Sequence, residues 1–294
     1  MGNKLMSATF VKYSSVAKIN RFLHITGQRD NGYHELETIF QFLDFGDYLQ
    51  FSVNTSGNIN LLTPIAGVEN SSNLIVKAAK ALQEYSASDK GVDIKLEKNL
   101  PMGGGLGGGS SNAATTLLAL NKHWQLNLTV DELADIGLKL GADVPVFVRG
   151  FTAFAYGVGE HLIPVNIDTP WFLITIPDCE ISTAAIFGAK DLPRNTPAIN
   201  VNNAVLNEIN IDQCHNDCEN LVIKLYPEVA NLMSWLLEYA PSRLTGTGAC
   251  IFSSFQDEES ALSLQSKLPN GVKSFVSKGL QQSPVIHELL LDVE

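Results

Sequence analysis

Apolar and polar residues alternate at the start of the chain in a way that predicts antiparallel strands. Between residues 15 and 26, Ala17, Ile19, Leu23 and Ile25 alternate with Lys18, Asn20 and His24. This is the period of a half-buried strand and places Lys18 and Asn20 on one face. Residues 36–43 and 48–53 predict two further strands. The chain therefore opens with an antiparallel sheet.

The segment between these two strands, residues 44–47, is rich in turn-forming residues and predicts a turn. Its Asp44-Phe45-Gly46 copies a signature of protein kinases. It precedes the glycine-rich segment, however, and the chain contains no His-Arg-Asp catalytic loop. We therefore interpret these residues as a turn without a catalytic role.

A helical period follows. Ser71, Ser72 and Asn73 can cap a helix that extends to residue 85 and has an inner face of Leu74, Ala78, Ala81, Leu82 and Tyr85. Residues 92–96 alternate as a strand, and residues 112–124 have helical composition. A capping box at residues 129–132 opens another helix that Gly141 can end, so Asp143 falls just past it.

The rest of the chain predicts a second domain after a boundary at residues 164–170. We expect an N-terminal domain at residues 1–164 and a C-terminal domain at residues 165–294. The remaining predicted elements are strands at 146–148, 151–156, 171–176, 249–255 and 272–276 and helices at 219–226, 227–239 and 258–268. Strands and helices do not alternate regularly, so the pattern favours a two-domain α+β fold over a doubly wound sheet.

Composition narrows the class of partner. The 294 residues are 45% hydrophobic and 17% charged, with a net charge of −11, which would repel a nucleic-acid backbone. No apolar run approaches the roughly 20 residues of a membrane helix, so we expect no membrane partner and a cytoplasmic location. Four scattered cysteines predict reduced thiols, and the spacing of Cys214 and Cys218 does not fit the usual metal clip.

The segment from Pro101 to Ala114 is the most informative part of the sequence. It holds six glycines within residues 103–109 and leads from a strand end into a helix start. Glycines let the backbone approach a ligand, and a helix N-terminus favours an anion. The segment therefore predicts a phosphate-binding loop.

Three other interpretations of this segment fit less well. A flexible linker rarely lies between a clear strand and a capped helix. Dinucleotide binding would need an acidic residue about 20 positions later, and residues 121–129 contain none. The Gly-Lys-Ser/Thr of a P-loop is also missing after the glycines.

Taken together, the motifs resemble the family of galactokinase, homoserine kinase, mevalonate kinase and phosphomevalonate kinase (GHMP kinases). The form G-L-G-G-G-S-S-N-A-A is similar to the branch that phosphorylates a cytidine-diphosphate-linked polyol. Four further motifs match this branch and lie along the chain in the order expected for it, at residues 17–20, 25–34, 141–145 and 244–249. The resemblance spans about residues 15–276 and implies a GHMP-kinase-like fold with the active site in the cleft between domains. It also implies that the domain at residues 1–164 binds ATP and that the domain at residues 165–294 lies on the substrate side.

The resemblance also implies roles for individual residues. Asp143 would be the catalytic base, with Lys18 beside it to keep the carboxylate ionised and to stabilise the developing alkoxide. The residues expected to bind ATP are Asn73, Leu74, Pro101, Met102, Gly103, Gly104, Gly105, Leu106, Gly107, Gly108, Gly109, Ser110 and Ser111. The residues expected to bind the cytidine diphosphate part of the substrate are Asn20, Tyr33, His34, Thr183 and Phe187. Either Ser110 or Ser111 could touch Mg²⁺.

Three alternatives stay open at this point. Another kinase of the same family, acting on homoserine or mevalonate, is disfavoured by the loop of residues 31–34. A non-catalytic nucleotide-binding module is disfavoured by the presence of both Lys18 and Asp143. An NAD-dependent oxidoreductase would need the acidic ribose-binding residue that this chain lacks. The sequence leaves the oligomeric state unknown.

Overall fold

A computed structural model describes residues 9–199 and 209–291 of the chain. Its ten strands form one sheet in the order β3-β4-β2-β10-β7-β9-β8, with β1 and β5 also pairing with β2, and β6 with β5. The strands are β1 (Val11–Gln28), β2 (His34–Asn54), β3 (Ile59–Leu61), β4 (Gly91–Glu97), β5 (Ala153–Gly157), β6 (His161–Pro164), β7 (Trp171–Ile176), β8 (Ser242–Leu244), β9 (Ile251–Phe255) and β10 (Lys273–Leu280).

Helices cover this sheet. Those in the described residues are α1 (Leu74–Ser86), α2 (Gly108–His123), α3 (Val130–Leu138), α4 (Val144–Arg149), α5 (Thr183–Gly188), α6 (Glu219–Leu225), α7 (Pro227–Leu237), α8 (Glu258–Gln265) and α9 (Pro284–Leu291). None of these combines the length and the apolar composition needed to cross a bilayer. The mixture of helices and sheet confirms the α+β prediction.

The predicted turn at residues 44–47 is wrong, because β2 continues through it without a break. Gly46 pairs with Val16, and Asp47 pairs with Ser15, beside a bulge in β1. A Cβ atom on Gly46 would collide with the backbone of Ser15 and Val16. Here glycine permits a close approach of two strands, and the turn interpretation missed this use of the residue.

The predicted strand at residues 146–148 is also wrong: these residues belong to α4. The helix has Pro145 in its first turn and ends at Gly150, which is left-handed with φ +71°. A short buried apolar run looks the same in a strand and in a one-turn helix, so its period could not decide between them. The flanking proline and glycine are the signals that favour the helix.

The predicted N-cap of helix α1 is confirmed, but its predicted inner face is only partly correct. The side chain of Asn73 accepts a hydrogen bond from the Ile75 amide, as an N-cap residue does. Ile75 is among the residues buried on this helix, whereas the predicted inner residue Tyr85 is 53% exposed. The capping box of α3 is confirmed, with Thr129 and Glu132 bonded reciprocally, although α3 ends before Gly141.

Buried apolar residues form two large clusters and two smaller ones, and one of the smaller clusters contains residues from both halves of the chain. That smaller cluster contains Ala17 and Ile19 of β1, Leu106 of the glycine-rich segment, and Phe172 and Phe252 of the second half. It therefore fixes the glycine-rich segment against both halves of the chain. Helix α9 returns to the first half, where Val285 is buried. The predicted domain boundary between residues 164 and 165 stays a prediction.

Candidate active site

Lys18 and Asn20 project from the same face of β1 toward the glycine-rich segment. The ammonium of Lys18 lies 3.3 Å from Asp143 Oδ2. It also donates to Asn20 Oδ1 at 2.6 Å and to the carbonyl oxygen of Gly105 at 3.0 Å. Because only 3% of the Lys18 side chain is exposed, its charge requires these oxygen partners. The two predicted catalytic residues, Lys18 and Asp143, are therefore in direct contact.

Asp143 is held at the start of α4, where it is the N-cap residue. The following residues Val144 and Pro145 are buried, which fixes the backbone at this point. The Asp143 side chain itself is 34% exposed and lines a cavity. A carboxylate with a fixed backbone, a cationic neighbour and access to a cavity can accept a proton from a bound hydroxyl.

The glycine-rich segment wraps around the start of α2. The first turn of α2 contains no acidic residue, so the partial positive charge of the helix N-terminus is not offset there. Gly105 has φ +77°, and a Cβ atom on it would collide with the Thr245 carbonyl oxygen. The segment therefore lies directly against the loop after β8. A helix N-terminus of this kind can bind an anion through its backbone N–H groups.

Two cavities meet at this segment. The larger, of about 760 Å³, is lined by residues of both halves of the chain, including Lys18, Asp143 and Thr247. The smaller, of about 380 Å³, lies between the glycine-rich segment and the start of α1. Gly105, Gly107 and Ser110 line both cavities. A ligand in one cavity can therefore reach a ligand in the other across these three residues.

The structure distributes the predicted binding residues between these two cavities. The smaller cavity is lined by Asn73, Leu74, Pro101, Met102, Gly103, Gly104, Gly105, Leu106, Gly107, Gly108, Gly109 and Ser110. The larger cavity is lined by Asn20, Tyr33, His34, Thr183 and Phe187. Ser111 is the one predicted site residue that lines neither. These positions agree with the predicted division into two ligands, while the individual roles stay predictions.

The two serines of the segment differ sharply in their surroundings. Ser111 is 2% exposed, and its hydroxyl donates to the Val16 carbonyl oxygen at 2.7 Å and accepts from the Ser15 hydroxyl at 2.9 Å. Ser110 is partly exposed and lines both cavities. Of these two serines, Ser110 is therefore the one whose hydroxyl can touch a ligand.

Polar contacts join the two halves of the chain around the larger cavity. The hydroxyl of Thr245 accepts a hydrogen bond from the backbone N–H of Asn20 at 3.0 Å. Within the second half, the hydroxyls of Thr183 and Thr247 lie 2.9 Å apart and join α5 to the loop after β8. Loops of the second half are thus fixed against β1, the strand that carries Lys18. The cavity has a shape set by both halves, as a cleft site requires.

Two family models match the chain. The model described as "GHMP kinases N terminal domain" matches residues 73–151, and the model described as "GHMP kinases C terminal" matches residues 196–274. Together they cover more than half of the sequence. The chain belongs to the GHMP kinase family. This confirms the family resemblance inferred from the motifs, and members of this family are ATP-dependent kinases.

Relatives of this GHMP kinase match over nearly its whole length. A protein of Colwellia psychrerythraea (strain 34H / ATCC BAA-681) is 56% identical over 94% of this chain and 92% of its own. A protein of Pseudoalteromonas atlantica (strain T6c / ATCC BAA-1087) is 55% identical over 97% of this chain and 98% of its own. Both relatives are named 4-diphosphocytidyl-2-C-methyl-D-erythritol kinase.

Solved structures agree with the fold. The crystal structure of a 4-(cytidine 5'-diphospho)-2C-methyl-D-erythritol kinase matches with a TM-score of 0.79 and 28% identity, and covers 92% of this chain and 99% of its own. The mevalonate kinase of Methanococcus jannaschii matches with a TM-score of 0.63 at 16% identity, over 94% of this chain and 99% of its own, and supports the fold alone. The GHMP fold is therefore shown by sequence and by structure.

One residue that supports the site of this GHMP kinase was missed by sequence reasoning. Asp47 of β2 is 1% exposed, and its carboxylate accepts from the amides of Asn99 and Leu100, both at 2.8 Å. It also accepts from Lys98 Nζ at 2.8 Å and from Asn112 Nδ2 at 3.0 Å. One buried carboxylate thus anchors both ends of the glycine-rich segment. A charged residue beside the apolar positions of a strand was the signal that could have found it.

Proposed function

We propose that this chain transfers the γ-phosphoryl group of ATP to a hydroxyl of 4-diphosphocytidyl-2-C-methyl-D-erythritol and forms the 2-phosphate, a step of non-mevalonate isoprenoid biosynthesis. The observation that carries the proposal is the pair of cavities that meet at the glycine-rich segment, with Lys18 and Asp143 at their junction. The names of the relatives supply the substrate. ATP takes the smaller cavity, and the polyol takes the larger.

The mechanism of phosphoryl transfer follows from the residues that lie where the two cavities meet. Phosphoryl transfer depends mainly on positioning and on electrostatic stabilisation. Asp143 accepts the proton of the attacking hydroxyl, and Lys18 stabilises the negative charge that develops on that oxygen. Asn20 and the Gly105 carbonyl hold the Lys18 ammonium in place. The glycine-rich backbone binds the phosphates through its N–H groups.

The cytidine end of the substrate lies in the larger cavity, away from this junction. The base is held between Tyr33 and Phe187, and His34 reads its edge. Tyr33 is 63% exposed at the mouth of the cavity, where it can close over a base. Base–aromatic stacking contributes roughly 1–3 kcal/mol per base and does not distinguish one base from another. Hydrogen bonds to the base edge must therefore provide specificity.

Mg²⁺ is the divalent ion that this site would take, and when bound with ATP it would neutralise the charge of the phosphates. The donor set fits, because the Ser110 hydroxyl lines both cavities while the Ser111 hydroxyl bonds to the β1 backbone. We assign the contact to Ser110. Ser111 instead fixes the start of α2 against β1.

Substituting each serine should separate these two roles. Ser110→Ala should raise the Mg²⁺ concentration for half-maximal rate about tenfold, the effect of losing roughly 1.4 kcal/mol of interaction with a charged group. Ser111→Ala should instead lower the free energy of unfolding by about 1–3 kcal/mol, since it leaves a buried carbonyl unpaired. Mg²⁺ titration of the rate, calorimetry of Mg-ATP binding and urea unfolding of both variants check this. The reverse pattern would assign the ion to Ser111.

The function itself is tested by comparing substrates. ATP consumption is measured with the cytidine-diphosphate-linked methylerythritol, homoserine, mevalonate and galactose under the same conditions. We expect the first to be used with a kcat/KM at least about 100-fold above the others, because only it fills the larger cavity and carries a base. Preference for homoserine or mevalonate would make the chain another GHMP kinase. ATP binding without any turnover would make it a nucleotide-binding module.

A further inference from the structure

Arg194, in the segment after α5, makes an unusual set of contacts next to the larger cavity. Its NH1 group donates to the Leu192 carbonyl oxygen at 2.9 Å. Its NH2 group donates to the carbonyl oxygens of Phe187 at 3.1 Å and Ala189 at 2.8 Å. Its Nε donates to His34 Nε2 at 3.0 Å. None of the described carboxylates forms an ion pair with it.

The contact with His34 determines where that imidazole carries its proton. Arginine has donors but no acceptor, so His34 Nε2 must present its lone pair. A neutral imidazole with Nε2 as acceptor carries its proton on Nδ1. His34 lines the larger cavity, and its ring packs on Phe187 with 5.1 Å between centroids. The Nδ1–H group is thus the ring donor left for a ligand.

The charge state of His34 agrees with this geometry. Burial of the ring lowers the pKa of His34, and the positive charge of Arg194 lowers this pKa further. Arg194 is the charged group that faces the ring among the described residues. The imidazole is therefore neutral at pH 7, and it offers one donor in a fixed position.

We propose that Arg194 is a positioning residue that sets base specificity by holding His34 as the Nδ1–H tautomer. A donor at this position complements N3 of cytosine, which is an acceptor, and opposes N3–H of uracil, which is a donor. The inference rests on the proposed function, because it assumes that the base of the substrate lies against His34. Through its three carbonyl contacts, Arg194 also fixes the segment that carries Phe187.

The structural part of the proposal can be tested without any substrate. Nitrogen NMR of histidine-labelled protein reports which ring nitrogen is protonated, and a His34→Gln sample identifies the His34 signals. We expect the Nδ1–H tautomer in the wild type. In Arg194→Met, where the donor and the charge are both lost, we expect a mixture of tautomers and a higher pKa for His34. An Nε2–H tautomer in the wild type would overturn the proposal.

The specificity part is tested with matched substrates that carry cytidine or uridine diphosphate. We expect Arg194→Met to reduce the ratio of their kcat/KM values at least tenfold, while KM for ATP stays within about twofold. Arg194→Lys keeps the charge but cannot serve all four acceptors, so it should recover little of the ratio. Tyr33→Ala is the control: it should weaken both substrates about equally and leave the ratio unchanged. An equal loss for both substrates in Arg194→Met would mean that Arg194 only positions Phe187, and it would overturn the role in specificity.

A second pair of variants covers the case in which Arg194→Met does not fold. His34→Asn places an amide N–H near the position of Nδ1, whereas His34→Gln places its amide near Nε2. We expect His34→Asn to keep more of the cytidine preference than His34→Gln. Equal loss in both, or an unchanged ratio in a folded Arg194→Met, would overturn the role of Arg194. A wild type that does not use the cytidine substrate would instead overturn the proposed function.

Discussion

An Asp143→Asn variant is expected to lose about 10²–10⁴-fold in kcat while it keeps its affinity for ATP. Asparagine has the shape of aspartate but cannot accept a proton at neutral pH, and general-base help is worth this much. Asp143 lies beside Lys18 at the junction of the two cavities, and it does not line the smaller one. Its substitution should therefore affect the chemical step and not nucleotide binding.

The measurement compares kcat, KM for both substrates and the calorimetric affinity for ATP. Asp131→Asn is the matched control, because Asp131 has a side chain that is 78% exposed on α3 and pairs with Arg149 away from the site. It should leave every parameter within about twofold, as expected for a surface pair. If Asp143→Asn keeps more than about a tenth of the wild-type rate, a change below about 1.4 kcal/mol, Asp143 is not the base.

The sequence pattern predicted the long strand β1 well, because one physical cause dominates there. Ala17, Ile19, Leu23 and Ile25 alternate with Lys18, Asn20 and His24, and this period correctly places Lys18 and Asn20 on the same face, although residues 15–25 are buried on both faces of the strand. The glycine-rich segment was equally predictable from the sequence, since six glycines between a strand and a helix are typical of a phosphate-binding loop. These two elements supply the junction at which the cavities meet.

Features that depend on distant partners could not be predicted from local patterns. Gly46 and Asp47 look like turn residues, yet in the structure Gly46 admits a neighbouring strand and Asp47 accepts four hydrogen bonds from residues about 50 or more positions away. Arg194 gave no sequence signal, because its significance lies in a contact with His34, 160 residues earlier. The roles of Asp143 and of the substrate residues came from family resemblance, since a lone carboxylate past a helix end has no distinctive pattern.

A Gly107→Val variant is expected to lose ATP binding, with an affinity at least about 100-fold weaker than that of the wild type. Gly107 has φ +71°, which a β-branched residue adopts only with strain. A Cβ atom there would also lie 2.8 Å from Phe147 Cζ and 3.2 Å from Lys18 Cε. The segment must therefore shift away from α4 and β1, and its N–H groups would no longer converge on the phosphates.

The control for this experiment separates strain from close approach. Gly271 has a similarly positive φ of +90°, but a Cβ atom on it would meet nothing within 4 Å, and it lies in the turn before β10. Gly271→Val should lower stability by roughly 1–2 kcal/mol, the cost of the left-handed conformation, without changing ATP affinity. Gly107→Val should in contrast still bind cytidine diphosphate, since His34 and Phe187 lie elsewhere in the larger cavity. Calorimetry showing unchanged ATP affinity in a folded Gly107→Val protein would mean that the glycine-rich segment does not bind the phosphates.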